Sequence, residues 1–431
     1  MELKYGKHSL NFEISKKNVL GTLTPINKPG ESLTILLKKS IASPLGKSRL
    51  GHLLRKNKPR DIVIIVSDIT RSIAHYADIL KFLVTEIIDA GIDEKNIEFV
   101  IALGTHRIHT QKENNLLYSD LVNNFRFSSH DCYNNLISLG KTSTGLEVQV
   151  NKRVWEADFV IATGKIDFHY IAGFSGGRKS ILPGISSYET IRNNHCKLRR
   201  DGVAVGVLKD NIIAQEMNEA CSLLDIGYLL NVVESPNKQT LEFFWGSPEA
   251  AFMSGVEYLK TLRMVKIPEK ADCVIISSGG YPQDKDFFNS HKSLCLGKNA
   301  LKPNGSMILV VQCCEGFGNE KFLRYMLENS LDELLDYHET DIEIGGHRAF
   351  ATAKILKKHK IYVLSDLDAE TLRRMGFIPI SNIEEAMKLV RNEYGDEFTT
   401  YIQPEGESVL PVFNEKELVD LPYKHPAYQS K

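Results

Sequence analysis

Short, continuous apolar runs along this chain end abruptly in polar or glycine residues, and stretches with helical spacing separate them. Asp61-Ile-Val-Ile-Ile-Val-Ser67 reads as a buried strand, and Ala74 to Ala90 carries apolar residues at helical spacing before the stop signal Gly91. Ile97 to Leu103 and Asp158 to Thr163 are the next strands. The pattern restarts with Asp272 to Ser277, a helix over Phe287 to Leu301, and strands at Ser306 to Val311 and Ile361 to Ser365. Strands alternating with helices predict right-handed crossover units and a mainly parallel sheet, here twice over. The expected fold is therefore two α/β domains with mainly parallel sheets and the active site in the crevice between them.

A chain of 431 residues exceeds one ordinary core, so two domains are the economical choice. The charged, proline-containing stretch from Arg263 to Ala271 marks the break. The expected division is 1–265 for an N-terminal domain and 266–431 for a C-terminal domain, whose last segment is a candidate to return to the first. A formal net charge of −1 gives no field for a polyanion, which argues against nucleic acid as a partner. The N-terminus has no apolar signal core and no run is long enough to span a membrane, so a cytoplasmic protein without a membrane partner is expected. The seven cysteines show no C-x-x-C pair or zinc-type spacing and are expected to be reduced.

In open α/β sheets ligands bind beyond the carboxyl ends of the strands. Asp68, Thr70 and Arg71 follow the first strand, Gly104-Thr-His106-Arg107 the second, and Gly164-Lys165, Asp167 and His169 the third. Singly, each has a bland alternative: Asp68 or Thr70 could cap a helix, Arg71 could pair with a surface carboxylate, and His106 could sit in a turn. Together they point to a site. The third strand leads into Asp167-Phe-His-Tyr-Ile-Ala-Gly-Phe-Ser-Gly-Gly-Arg-Lys-Ser180. Its glycines, Gly176 and Gly177 among them, suit a close backbone approach to an anion, with Lys179 at the lip. Arg178 between Gly177 and Lys179 breaks the phosphate-loop spacing, which excludes a nucleotide triphosphatase. No G-x-G-x-x-G opens a helix after a first strand, which excludes a standard dinucleotide fold.

Chemistry alone leads to an anion-binding α/β enzyme with proton or hydride transfer. His106 and His169 are candidates for an acid/base pair, Arg71 and Lys292 could hold a carboxylate, a desolvated Lys179 could form a covalent attachment, and His195 is a possible metal ligand.

The combination of Ser67-Asp-Ile-Thr-Arg71, Gly104-Thr-His-Arg107, His169 through Lys179, His195 and Gly279-Gly-Tyr-Pro resembles the nickel-dependent lactate racemase family. The resemblance implies a nickel pincer nucleotide, a pyridinium mononucleotide with two thiocarboxyl groups, covalently attached through Lys179 and with His195 as the protein ligand to nickel. It implies cofactor contacts from Asp68, Thr70, Gly176 and Gly177, and substrate contacts from Arg71, Asn289 and Lys292. His106 and His169 would then act alternately as acid and base while hydride moves reversibly to and from the cofactor, inverting a 2-hydroxy acid at its α-carbon. Cofactor-biosynthesis proteins would be transient partners. Two departures bear on the substrate: Phe288-Asn289 stands where lactate-type members commonly have Tyr-Gln, and Ser72 where proline is frequent. A sugar-acid epimerase with the same cofactor, or a non-catalytic nickel-cofactor carrier, are the alternatives.

Overall fold

In the computed structural model, residues 1–338 and 342–413 are described. Their contacts divide them into two compact units, one of residues 27–260 and one combining residues 1–26 with 261–338 and 342–413. Twelve strands build the two large sheets: β1 (Val19–Thr22), β2 (Ile62–Ser67), β3 (Ile97–Ala102), β4 (Arg126–Ser129), β5 (Phe159–Lys165), β6 (Tyr228–Glu234), β7 (Thr240–Gly246), β8 (Ala271–Ser277), β9 (Leu301–Val310), β10 (Lys360–Leu364), β11 (Ile378–Pro379) and β12 (Thr400–Gln403).

The sheet of residues 27–260 has the order β7-β6-β5-β2-β3-β4 and is parallel except for the β6/β7 pair. β2 and β3 are buried along their whole length, as expected of strands covered on both faces. Helix α1 (Tyr76–Asp89) supplies part of that cover. Its Tyr76, Ile79, Leu80, Leu83, Val84 and Ile87 fall on one face at helical spacing and join the core around Ile62, Ile64, Phe99 and Ile161. The chain runs from β2 outward through β3 and β4, then returns to place β5 on the other side of β2. The crevice at the carboxyl ends of β2 and β5 is therefore a topological switch point, where α/β sheets bind ligands.

The second unit has a six-stranded, all-parallel sheet of order β11-β10-β9-β8-β12-β1. Its first edge comes from the start of the chain, since β1 pairs with β12 in the register Thr400↔Val19. Leu3 and Phe12 are buried in the same core as Ile275, Ile308 and Ile402. Residues 1–26 therefore belong with the second unit and not at the head of an N-terminal domain running to residue 265. The cause is a strand pairing across the length of the chain, which local periodicity does not encode. The expected return of the last segment lies, from residue 414, outside the described residues.

Asn18 secures this junction. It is buried, and its side-chain amide donates to the carbonyls of Asp396 and Phe398, both at 2.8 Å. Replacing Asn18 by Ala leaves those carbonyls without their donor and should cost about 1–3 kcal/mol. Thermal and urea unfolding followed by circular dichroism would show a lowered midpoint; an unchanged midpoint would mean that the contact does not hold the segment.

Candidate active site

The carboxyl ends of β2, β3 and β5 open onto a cavity of about 230 Å³ lined by Ser67, Asp68, Thr70, Arg71, Lys165, Asp167, His169, Ser175, Gly176, Lys179 and Ser180, among others. The end of β2 is held firmly. The Ser67 N–H donates to the Tyr76 hydroxyl at 2.9 Å, and the Tyr118 hydroxyl donates to the Ser67 carbonyl at 2.8 Å. A buried tyrosine at the start of α1 and another further along thus pin the strand where its polar residues begin.

Asp68 is almost fully buried and gathers the polar groups around it. His106 Nδ1 lies 2.5 Å from one carboxylate oxygen, the Thr70 hydroxyl donates at 2.9 Å, and an Arg71 guanidinium nitrogen stands 3.6 Å away. Burial by itself would raise the Asp68 pKa. The hydrogen bond with His106, the Arg71 charge and the Thr70 hydroxyl outweigh it and hold the carboxyl below its ordinary value. Asp68 is therefore a carboxylate, and it can fix the imidazole with Nε2 outward, as an aspartate does in hydrolytic triads. The His106 and Arg71 side chains remain 38 % exposed, so both are accessible to a ligand.

A residue absent from the sequence reading shapes this turn. Buried His109 accepts the Ile69 N–H at Nε2, 3.0 Å, which places its proton on Nδ1, 3.0 Å from the Asn114 side-chain oxygen. Lys165 is likewise more than a lining group: it donates to the Ser72 carbonyl at 2.8 Å and pairs with Glu234 at 3.1 Å, while Glu234 accepts the Ala74 N–H at 2.6 Å. Nothing in local sequence spacing couples positions 72, 165 and 234.

The glycine-rich turn packs tightly against the sheet. A Cβ on Gly173 would lie 2.1 Å from the Val207 carbonyl oxygen, and Gly173 has φ +73°. A Cβ on Gly177 would meet the Leu229 side chain at 1.8 Å, and the Gly177 N–H donates to Asn231 at 2.7 Å. The Gly177 N–H is thus engaged within the protein and the residue packs against the sheet, while Gly176 lines the cavity.

Arg178 points the other way from Lys179 in function as well as sequence. Its buried guanidinium donates to the carbonyls of Ala214 (2.5 Å), Ala172 (2.9 Å) and Phe174 (3.4 Å) and to Asn218 (3.0 Å), and it stacks on Phe252 at 4.5 Å. It ties the turn to helix α2 (Ile212–Leu223). Burial lowers its pKa to about 9.

The neighbouring Lys179 is 5 % exposed, and its amine lies 3.1 Å from His169 Nε2. Burial, then the nearby charges of Arg71 and Arg178, push its pKa well below the ordinary lysine value of 10.5. The result is an amine with substantial neutral, nucleophilic character at the floor of a polar cavity.

The structure thus brings together Asp68, Thr70, Arg71, His169, Gly176 and Lys179, with His106 joined to them through Asp68. His195 is buried at the end of the helix Tyr188–His195 and is not part of the cavity lining. Asn289 and Lys292 belong to the other unit, on the helix Phe287–Gly297. There Asp286 caps the helix, accepting the Asn289 N–H at 2.7 Å and its side-chain amide at 2.8 Å. Among the described residues, no three His, Cys, Asp or Glu side chains are grouped as for a metal ion.

Fold and cavity together define a protein of two α/β units with a polar cavity at the carboxyl ends of a mainly parallel sheet. The lactate racemase N-terminal domain family matches residues 5–206, and the lactate racemase C-terminal domain family matches residues 266–411. The chain is 32% identical over 426 residues to the lactate racemase of Thermoanaerobacterium thermosaccharolyticum, covering 95% of this chain and 98% of that one. It is 30% identical to the lactate racemase of Lactiplantibacillus plantarum, over 95% and 99% of the two chains. The structure of the Thermoanaerobacterium thermosaccharolyticum lactate racemase apoprotein superposes with a TM-score of 0.89 at 31% identity, over 95% of this chain and 99% of that one. The chain belongs to the lactate racemase family and is an isomerase.

Replacing Arg178 by Ala removes the donors for three carbonyls at once and should destabilise the unit of residues 27–260 by about 3 kcal/mol. Urea unfolding measures it, with Asn218→Ala expected to cost less because it removes one partner only. Equal costs would show that the guanidinium is not the main tie.

Proposed function

We propose that this protein inverts 2-hydroxy acids at the α-carbon, using a nickel pincer nucleotide attached through Lys179. The observation that carries this reading is the buried Lys179 amine beside His169, in a cavity that also holds Asp68 and Arg71. The residues present suit the group. A buried lysine with a depressed pKa fits a covalent tether, and buried His195 would be the chain's ligand to nickel. When bound, the group supplies reversible acceptance of the substrate's α-hydrogen as hydride.

The chain's own residues then have distinct tasks. Arg71 binds the substrate carboxylate, and Asn289 and Lys292 are proposed to share that role; holding the carboxylate keeps the α-carbon in place through both half-reactions. His106, oriented by Asp68, takes the hydroxyl proton of one stereoisomer at Nε2. His169 serves the other stereoisomer in the same way, and each returns a proton when the reaction runs in reverse. Thr70 keeps the second lone pairs of Asp68 satisfied, and Gly176 lets the nucleotide approach the backbone.

The second-unit helix favours substrates beyond lactate as a further reading. Phe288 offers no hydroxyl; its ring is covered by the Arg348 guanidinium at 3.6 Å, and the Asn289 amide is tied to Asp286. A panel of chiral 2-hydroxy acids and aldonates, followed by chiral chromatography, assigns the substrate. Inversion of none of them by nickel-loaded protein would reject racemase and epimerase alike and leave a carrier.

Intact mass after co-expression with a cofactor pathway should show an adduct that maps to Lys179. His195→Ala should lose nickel while His106→Ala keeps it, measured by metal analysis; equal retention contradicts these roles. Asp68→Asn should retain adduct and nickel yet lower kcat by on the order of a hundredfold, with a smaller change in KM, because the imidazole loses its orienting carboxylate.

A further inference from the structure

Helix α2 lies against both segments that the proposed cofactor would engage. It holds the turn of Lys179 through the Arg178 guanidinium, which donates to the Ala214 carbonyl and the Asn218 side chain. Glu216 stands about 200° round the helix from Ala214, on the opposite face. Its side chain is fully buried. One carboxylate oxygen accepts the Asn194 side-chain amide at 2.8 Å, and the other accepts the Lys197 amine and the Thr144 hydroxyl. Asn194, also fully buried, immediately precedes His195, and Lys197 stands two residues after it. A single carboxylate therefore grips the chain on both sides of His195. The grip matters because His195 closes its helix and is followed directly by a tighter turn, Cys196–Arg199, and helix ends fray more readily than helix interiors.

We propose that Glu216 is a positioning residue for His195, fixing the imidazole as the nickel ligand through the residues on either side of it. This rests on the reading of His195 as that ligand. A buried carboxylate persists only where donors meet its lone pairs, so Asn194, Lys197 and Thr144 are held to one point and cannot drift independently. Thr144 brings a further element into the grip. It lies in the turn of the hairpin formed by strands Leu136–Lys141 and Glu147–Asn151, where Ser143 also donates to Glu219 of α2, from its N–H at 2.6 Å and its hydroxyl at 2.7 Å. The helix thus braces the Lys179 turn from one face and the His195 segment from the other. A nucleotide tethered at the lysine and bound through nickel at the histidine needs those two residues at a fixed separation, and a shared helix supplies it.

The test uses full-length protein co-expressed with a cofactor pathway. Nickel release into a chelator is followed by metal analysis, the Lys179 adduct by intact mass, and folding by circular dichroism. Glu216→Gln keeps the size of the side chain but accepts hydrogen bonds at one end only, whereas partners donate to both ends of the carboxylate. It should retain the adduct and release nickel about tenfold faster, the low end for a lost outer partner of a metal-binding histidine. Glu219→Ala, which frees only Ser143, should release nickel at the wild-type rate. A folded Glu216→Gln protein that releases nickel at the wild-type rate overturns the proposal. So does an equal acceleration in Glu219→Ala, because loosening the helix anywhere would then suffice. Should Glu216→Gln fail to fold, Asn194→Ala cuts the same link from the other side and is judged by the same outcome. Nickel retained in His195→Ala, or absent from the wild-type chain, would instead remove the reading of His195 on which the proposal stands.

Discussion

The desolvation of one amine organises this site. A lysine buried among arginines and glycines cannot keep its charge at ordinary cost, and the protein meets that constraint with an imidazole beside it and a guanidinium behind it that donates to three backbone carbonyls. Arg178 makes the arrangement possible. Its charge is spread over three backbone carbonyls, an asparagine oxygen and a phenylalanine face, so it anchors the turn without a carboxylate partner of its own among these contacts.

For Asp68 the opposite electrostatics holds. Asp68 is equally buried but stays ionised, because His106, Arg71 and Thr70 all favour its charge. An acid–imidazole dyad and a buried amine–imidazole pair thus meet at one cavity. The two histidines have the same chemistry and different partners. The switch point between β2 and β5 brings these pairs together, since it is there that the chain leaves one flank of the sheet for the other.

Much of the site was legible before any tertiary information. The polar residues after β2, β3 and β5 were readable because buried parallel strands are continuous apolar runs whose ends are sharp. Lys179 stood out because Arg178 displaced it from a familiar spacing. The packing of Gly177 against Leu229 was not legible, because glycine permits both a close ligand and a close side chain, and Leu229 is distant in sequence. His109 and Glu234 were invisible as parts of the site for a related reason: each acts on a backbone group far along the chain.

The sequence by itself determined the strands, the sites at their ends, the lysine and the two histidines, because these follow from local periodicity and from residue chemistry at short spacing. Tertiary structure alone decided that residues 1–26 complete the second sheet, that Asp68 belongs to His106, and that His169 meets Lys179 through Nε2. Those outcomes depend on which segments pack together and on how burial sets protonation, and neither is a property of neighbouring residues.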